Sequence, residues 1–165
     1  MRLLNLTQVE HVRSIFYDIN WDSRLIAIRG AKWVGKTTLM LQYIKMKGAD
    51  AKRILYASLD SAYFTQHTLL DFAEDFYKKG GERLFLDEVH KYDTWSREIK
   101  EIYDLYPDMK VVISGSSLLS ILNGDADLSR RCLPYDIQGM SFREYLEIVH
   151  GIILPKVTLD ELLGN

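Results

Sequence analysis

The chain has 165 residues, of which 47% are hydrophobic, 12% aromatic and 27% charged, so it is one domain in length and can bury a core without covalent staples. Its 21 Lys and Arg stand against 23 Asp and Glu, a net charge of −2 that supplies no global attraction for nucleic acid or anionic lipid. A single cysteine, Cys132, excludes an intrachain disulfide framework and a cysteine-based zinc site, and no apolar run reaches the roughly 18 residues of a membrane span; a reducing, cytoplasmic setting is expected.

The first element in chain order is an amphipathic helix: Thr7 and Glu10 form a capping box ahead of Val9, Val12, Phe16 and Ile19, which are close to helical spacing. Five short apolar runs then read as strands, at residues 24–29, 53–58, 83–87, 110–115 and 132–137, with helical stretches between them. That alternation is the pattern of an α/β fold with a parallel sheet between helical layers. The stretch TLMLQYIKMK continues from the first strand as a helix. The helix after Thr65 carries Leu69, Phe72, Ala73 and Phe76 and stops at Lys78-Lys79-Gly80-Gly81, where cations suit the helix dipole and glycine permits a left-handed cap. Near Thr94 a further stripe of Trp95, Ile99, Ile102, Tyr103 and Tyr106 runs up to Pro107. Ser141 with Glu144 and Thr158 with Glu161 form two more capping boxes. The second of these has barely begun when the chain ends at Asn165, as expected of a domain cut from a longer protein.

The segment Gly30-Ala31-Lys32-Trp33-Val34-Gly35-Lys36-Thr37 matches G-x-x-x-x-G-K-[ST] between a predicted strand and a predicted helix. In such a P-loop the glycines let backbone N–H groups curl around phosphates and the helix adds its positive end. Lys36 would neutralise the outer phosphates, and the Thr37 hydroxyl would ligate magnesium. About fifty residues on, Leu84-Phe85-Leu86 delivers Asp87 and Glu88 at a strand end. In this Walker B reading Asp87 holds hydrated magnesium and Glu88 polarises a water for attack on the γ-phosphate. The strand Val111-Val112-Ile113-Ser114 opens into Gly115-Ser116-Ser117 at the carboxyl end, where ligands sit in open α/β sheets. Ser114 or Ser116 is then placed to contact the γ-phosphate or the water, while one serine of the group is expected to cap the stretch LLSILNG.

The segments GAKWVGKTTLMLQYIK, LFLDEVHKYDTWSREIKEIYDLYPDMKVVISGSSLLSIL and DLSRR…GMSFREYL together resemble the bacterial and archaeal AAA-type ATPases, in particular a group that couples this module to a C-terminal domain of unknown function. The resemblance covers nearly the whole chain after the first helix. It implies a five-stranded, mostly parallel sheet with the P-loop strand beside the sensor strand, and magnesium-dependent ATP hydrolysis. It places the nucleotide-binding positions on Gly30 to Thr38, the Walker B carboxylates on Asp87 and Glu88, the sensor on Ser114 to Ser116 and arginine fingers on Arg130 and Arg131. Self-association of the full-length protein follows from the last of these. The chain departs from the pattern by ending before a helical lid, and Trp33 is bulky for its place in the loop.

Other residues have plainer readings. His90 follows the carboxylates, but His11, His67 and His150 are not at ligand spacing from it, so it reads as loop structure. Lys45, Lys47, Lys52 and Arg53 read as solvated dipole partners rather than a nucleic-acid patch. Cys132 reads as a small core residue, Trp33 as a contact candidate and Asp60 as a cap for the next segment. The chain is expected to comprise a lead-in at 1–22, a P-loop core at 23–150 and the start of a further region at 151–165. An ATP/ADP-binding ATPase module that drives or gates an attached effector is the leading function. A nucleotide-binding switch with negligible hydrolysis and a P-loop kinase for a small metabolite are the rivals.

Overall fold

The computed structural model describes residues 2–116, 126–155, 157, 161, 163 and 164. Five strands, β1 (Leu25–Arg29), β2 (Ile54–Ser58), β3 (Arg83–Asp87), β4 (Lys110–Gly115) and β5 (Leu133–Asp136), lie within a residue or so of their predicted positions. They form one all-parallel sheet in the order β2-β3-β4-β1-β5, which sets β1 beside β4 as the resemblance implies. The central strands are apolar on both sides because both faces are covered. Leu25 and Ala27 of β1, Leu84 and Leu86 of β3, and Val111 and Ile113 of β4 pack into one core, while Ile26, Ile28, Phe85 and Val112 pack into the other.

The first face is covered by α4 (Leu69–Lys78), α5 (Trp95–Leu105) and α6 (Ala126–Arg131), through Leu69, Ala73, Trp95, Ile99, Ile102 and Leu128. Burying each leucine or isoleucine among these contributes about 1.5–3 kcal/mol. The helix α4 starts at Leu69, later than its predicted start after Thr65: Thr68 accepts the Asp71 N–H as its cap, and a single 3-10 turn occupies Ala62–Thr65. It ends as expected, with Gly80 at φ +81 and with Gly81 so close to the Phe76 ring that a Cβ there would lie 2.4 Å from it. The opposite face is covered by α3 (Lys36–Met46), whose Leu39, Met40, Tyr43 and Ile44 are buried.

An N-terminal helix is present, but its position corrects the expected capping box. The helix α1 (Arg2–Leu6) precedes Thr7, and only one further turn, α2 (Ile15–Asp18), follows. The Thr7 hydroxyl donates back to the Leu3 carbonyl at 2.9 Å and so closes a helix instead of opening one. The carbonyls that a helix over 8–12 would use are taken by α3. Gln42 Nε2 donates to Gln8 O and His11 O, both at 2.9 Å, and Lys45 Nζ donates to Thr7 O at 2.6 Å. Phe16 and Ile19 still reach the core.

The capping box at Ser141 and Glu144 opens α7 (Phe142–His150) with both reciprocal hydrogen bonds, and Gly151 at φ +67 closes it. Ser117, the stretch LLSILNG and the Thr158 box lie outside the described residues. Among the described residues no helix is long and apolar enough to cross a membrane.

Candidate functional site: a glycine-bounded loop beside a buried carboxylate

The loop between β1 and α3 has the backbone that a phosphate cradle requires. Gly30 has φ +155, and a Cβ on it would meet Ile137 O at 2.4 Å, so no larger residue fits. Gly35 at φ +95 turns the chain into α3. Trp33 holds φ +71 without being glycine, a left-handed conformation that costs about 1 kcal/mol, and its side chain is 90% exposed. Lys36 is buried, and its Nζ donates to Gly30 O at 2.9 Å and Ala31 O at 2.8 Å, which places its charge inside the curl of the loop. A cavity of about 310 Å³ opens beside it, walled by Lys32, Trp33, Gly35, Lys36, Thr37, Thr38 and Glu88.

Asp87, at the end of β3, joins four elements. Its Oδ2 accepts from Thr37 Oγ1 at 2.5 Å and from the Tyr56 hydroxyl at 2.9 Å; its Oδ1 accepts from the Glu88 N–H at 3.0 Å and from the Ser114 hydroxyl. The carboxylate is only 2% exposed, so these donors offset the loss of its hydration. Tyr56 is a residue that sequence reasoning missed. Burial, and then the Asp87 charge, push its phenol pKa well above the usual value, so it remains a hydrogen-bond donor. An isolated tyrosine in a strand carries no signal of such a role.

Glu88 also has a left-handed backbone, φ +54, at the start of the 3-10 turn Val89–Lys91. The turn is anchored by the fully buried Val89, and the Glu88 side chain, 30% exposed, faces the loop cavity and lies 3.5 Å from His90 Nε2. The two serines left open by the sequence have different places. Ser114 is completely buried and occupied by Asp87, whereas Ser116 is half-buried with its Oγ 3.4 Å from His90 Nε2.

Arg130 and Arg131 are not brought to this loop. They end α6 just before β5, whose first residue pairs with Ile26 at the start of β1, so they sit at the opposite end of the sheet from Lys36. Arg131 Nε is 3.4 Å from Asp104 of α5.

Sequence reasoning also missed Arg13. Its Nη1 donates to Val34 O at 3.0 Å and Gln138 O at 2.9 Å, its Nη2 to Gly139 O at 3.3 Å and Glu144 Oε2 at 3.1 Å, and its Nε to Glu144 Oε1 at 3.3 Å. One guanidinium thereby joins the lead-in segment, the P-loop, the loop between β5 and α7, and α7 itself. Burial acts to raise the Glu144 pKa, but Arg13 and the Ser141 N–H outweigh it and hold the carboxyl at about 2. Behind the P-loop, His11, Arg13, Trp33, Leu39, Met140 and Ile148 line a second, largely apolar cavity of about 300 Å³.

Lys45 bonds Thr7 O, Lys47 lies over the Tyr43 ring and Arg53 pairs with Glu82, so most of the basic stretch has internal partners. Cys132 is buried, and burial pushes its thiol up to about 12, which leaves it unreactive. Asp60 is exposed, and the neighbouring Ser61 provides the cap expected of it.

The profile of the family described as AAA domain matches residues 22–146. Uncharacterized protein MJ1637 of Methanocaldococcus jannaschii is 31% identical over 159 residues, an alignment covering 90% of this chain and 33% of that protein. The chain thus spans about a third of the length of that relative. Among solved structures, AMPPCP-bound DnaA from Aquifex aeolicus aligns with TM-score 0.55 and 22% identity over 76% of this chain and 43% of its own. PCH-2 of C. elegans aligns with TM-score 0.53 and 17% identity over 96% and 48%. These two likenesses are of fold. With the P-loop strand beside β4, the order β2-β3-β4-β1-β5 and the profile match over most of its length, the chain belongs to the AAA domain family.

Proposed function

We propose that the chain binds Mg-ATP at Gly30 to Thr38 and hydrolyses it, as the nucleotide module of a longer protein. The observation that carries this reading is that Lys36, Thr37 and Glu88 wall one cavity while the buried Asp87 is hydrogen-bonded to Thr37 beside it. A carboxylate already bonded to the P-loop threonine fits a hydrated divalent cation held by Thr37 and Asp87 next to phosphate oxygens. When bound, magnesium would neutralise charge that develops on the phosphates.

The residues divide the work. Lys36 exchanges its two loop carbonyls for phosphate oxygens, and the loop N–H groups and the start of α3 complete the cradle. Tyr56 and Ser114 hold Asp87 in place through their hydrogen bonds. The apolar cavity behind the loop takes the nucleoside, with Trp33 at its rim. Glu88, on the open side, accepts hydrogen bonds from a water and polarises it toward the γ-phosphate. Ser116 is the better placed of the two serines to sense that phosphate, because Ser114 is already committed to Asp87.

In this reading Arg130 and Arg131 act on the γ-phosphate of a neighbouring subunit, since their own P-loop is at the far end of the sheet. The same separation takes Arg130 and Arg131 out of reach of the lid role that a metabolite kinase on this chain's own P-loop would give them. A second reading, a nucleotide switch that turns over slowly when alone, is favoured by the internal partners that hold Lys36 and face Glu88. Drive or gating of an attached effector domain belongs to the longer protein.

The test is Glu88→Gln. The amide preserves size but loses the charge, so ATP affinity should stay within about twofold while hydrolysis falls at least about a hundredfold. Hydrolysis by this variant at the wild-type rate would refute the role given to Glu88.

A further inference from the structure

A cavity of about 390 Å³, larger than either cavity at the P-loop, opens at the other end of the sheet. It lies where β2, β3 and β4 begin and α3 ends. Arg53 precedes β2, Arg83 opens β3, Lys110 opens β4, and Tyr43 and Lys47 come from the last turn of α3 and its cap. The 11 residues of α3 set it about 16 Å from Lys36.

The register of the sheet forces these cations together. Arg83 and Lys110 are direct partners on neighbouring strands, about 4.8 Å apart, and like charges so placed repel. Both turn to one oxygen of Asp22: Lys110 Nζ lies 2.8 Å and Arg83 Nη2 3.4 Å from its Oδ1. That carboxylate is 84% exposed, so a single solvated charge answers two cations. Arg53 pairs with Glu82 at the surface, where both side chains are more than half exposed. Lys47 lies 5.3 Å over the Tyr43 ring and has no carboxylate at ion-pair distance among the described residues. The walls thus carry four positive charges against Glu82 and Asp108, an excess of two that Asp22 reduces to one.

Tyr43 points the same way for a separate reason. It is 5% exposed and stacked on Trp21 at 4.4 Å, yet its hydroxyl makes no hydrogen bond among the described residues. A polar group taken so far out of water without a partner is destabilising, and an acceptor held in the cavity that Tyr43 lines would satisfy it.

We propose that this cavity is a second anion site, which binds the phosphate group of a small phosphorylated molecule through Lys47, Arg53, Lys110 and the Tyr43 hydroxyl. Arg83, held by Trp21 O and Asp22, adds its charge without leaving its place. The two ammonium groups suit a compact dianion, and the Arg53 fork can meet two of its oxygens in exchange for Glu82. The volume exceeds that of phosphate alone and falls in the range of small-molecule sites, so the phosphate belongs to a larger ligand. A cavity closed by three strand starts and a helix end suits a compact ligand better than a nucleic-acid backbone, which needs a groove that tracks it. The site is independent of whether the P-loop binds nucleotide.

The probe is inorganic pyrophosphate in magnesium-free buffer of low ionic strength, added to the chain carrying Lys36→Ala so that the P-loop does not compete. Binding is read from ¹H–¹⁵N correlation spectra. Amides of Lys47, Arg53, Arg83 and Lys110 should shift together along one saturable curve while those of residues 30–37 stay in place. In the same background Tyr43→Phe should weaken binding by about threefold or more, and Lys47→Gln with Lys110→Gln by about tenfold or more. Lys52→Gln, a basic neighbour outside the cavity wall, should change it by less than about twofold. Because the Tyr43 hydroxyl has no partner to lose, Tyr43→Phe should melt at the temperature of its parent without the probe, which separates lost binding from lost packing. Absence of shifts at the cavity amides, shifts confined to residues 30–37, or equal weakening by Lys52→Gln overturns the proposal. An oligothymidylate that moves the cavity amides when pyrophosphate does not also overturns it, in favour of a nucleic-acid surface.

Discussion

Arg13 is the residue whose loss should cost most relative to its lack of signal in the sequence. Its guanidinium makes five hydrogen bonds, to three carbonyls and to both oxygens of Glu144, and the paired side chains are only 13% and 15% exposed. Replacing it with alanine leaves Glu144 without its cation and the Val34 carbonyl without its donor. A well-buried pair broken this way costs about 3–5 kcal/mol and an exposed one under about 1 kcal/mol; this partly shielded pair should lose about 3 kcal/mol. For a chain of this size that lowers the melting temperature by about 6–12 °C. The loss should depend on pH in a defined direction. Glu144 is held at about 2, below its usual 4.5, so its contribution is full above that ordinary value and is lost as pH falls from there toward about 2. Thermal melts of wild type and Arg13→Ala at pH 7 and across this acid range decide the matter. The gap between them should be widest at neutral pH and close toward pH 2. A loss under about 1 kcal/mol at pH 7, or a gap that does not narrow in acid, would refute the reasoning.

Three further outcomes are expected. Trp33→Gly relieves a left-handed non-glycine residue whose side chain buries little, so it should raise stability by up to about 1 kcal/mol; a lower melting temperature would show that the exposed indole has a packing role. Asp87→Asn should abolish the extra stabilisation that magnesium adds to ADP in thermal melts, and an unchanged magnesium effect would place the cation elsewhere. Mixing Glu88→Gln chains with Arg130→Ala/Arg131→Ala chains, under conditions where wild type assembles and turns over, should restore hydrolysis above either alone. Unimpaired turnover by the double arginine variant by itself eliminates a finger in trans, a contribution of about 10³ to 10⁵ in rate where it operates.

The central strands β1, β3 and β4 were legible because their apolar middles are buried on both faces, a consequence of cover that sequence displays directly, whereas the edge strand β5 is largely exposed. The P-loop and the Asp87–Glu88 strand end were legible for a related reason: their chemistry depends on residue types at fixed local spacing. Local spacing also misled. Thr7 with Glu10 and Ser141 with Glu144 are the same pattern, yet only the second opens a helix. At the first, Gln42 and Lys45 of α3 take the carbonyls that a helix there would have used, a contact spanning more than thirty residues that no local window contains. Tyr56 and Arg13 were invisible for the same reason, since their partners, Asp87 and Glu144, lie 31 and 131 residues away. The choice between Ser114 and Ser116 likewise required the sheet, because alternation along β4 sends one to Asp87 and the bend after the strand leaves the other beside His90.

Titration calorimetry of Mg-ATP into the wild-type chain and into Lys36→Ala tests most directly whether this loop is a nucleotide site. One nucleotide per chain should bind the wild type. Loss of the buried ammonium, a charge-assisted contact of about 1.5–3 kcal/mol, should weaken binding by at least about tenfold. Melting curves should follow, with about 2.7 kcal/mol of stabilisation at a hundred times Kd in wild type and far less in the variant at the same concentration. Equal affinity in the two proteins, or no binding to the wild type, would contradict the assignment.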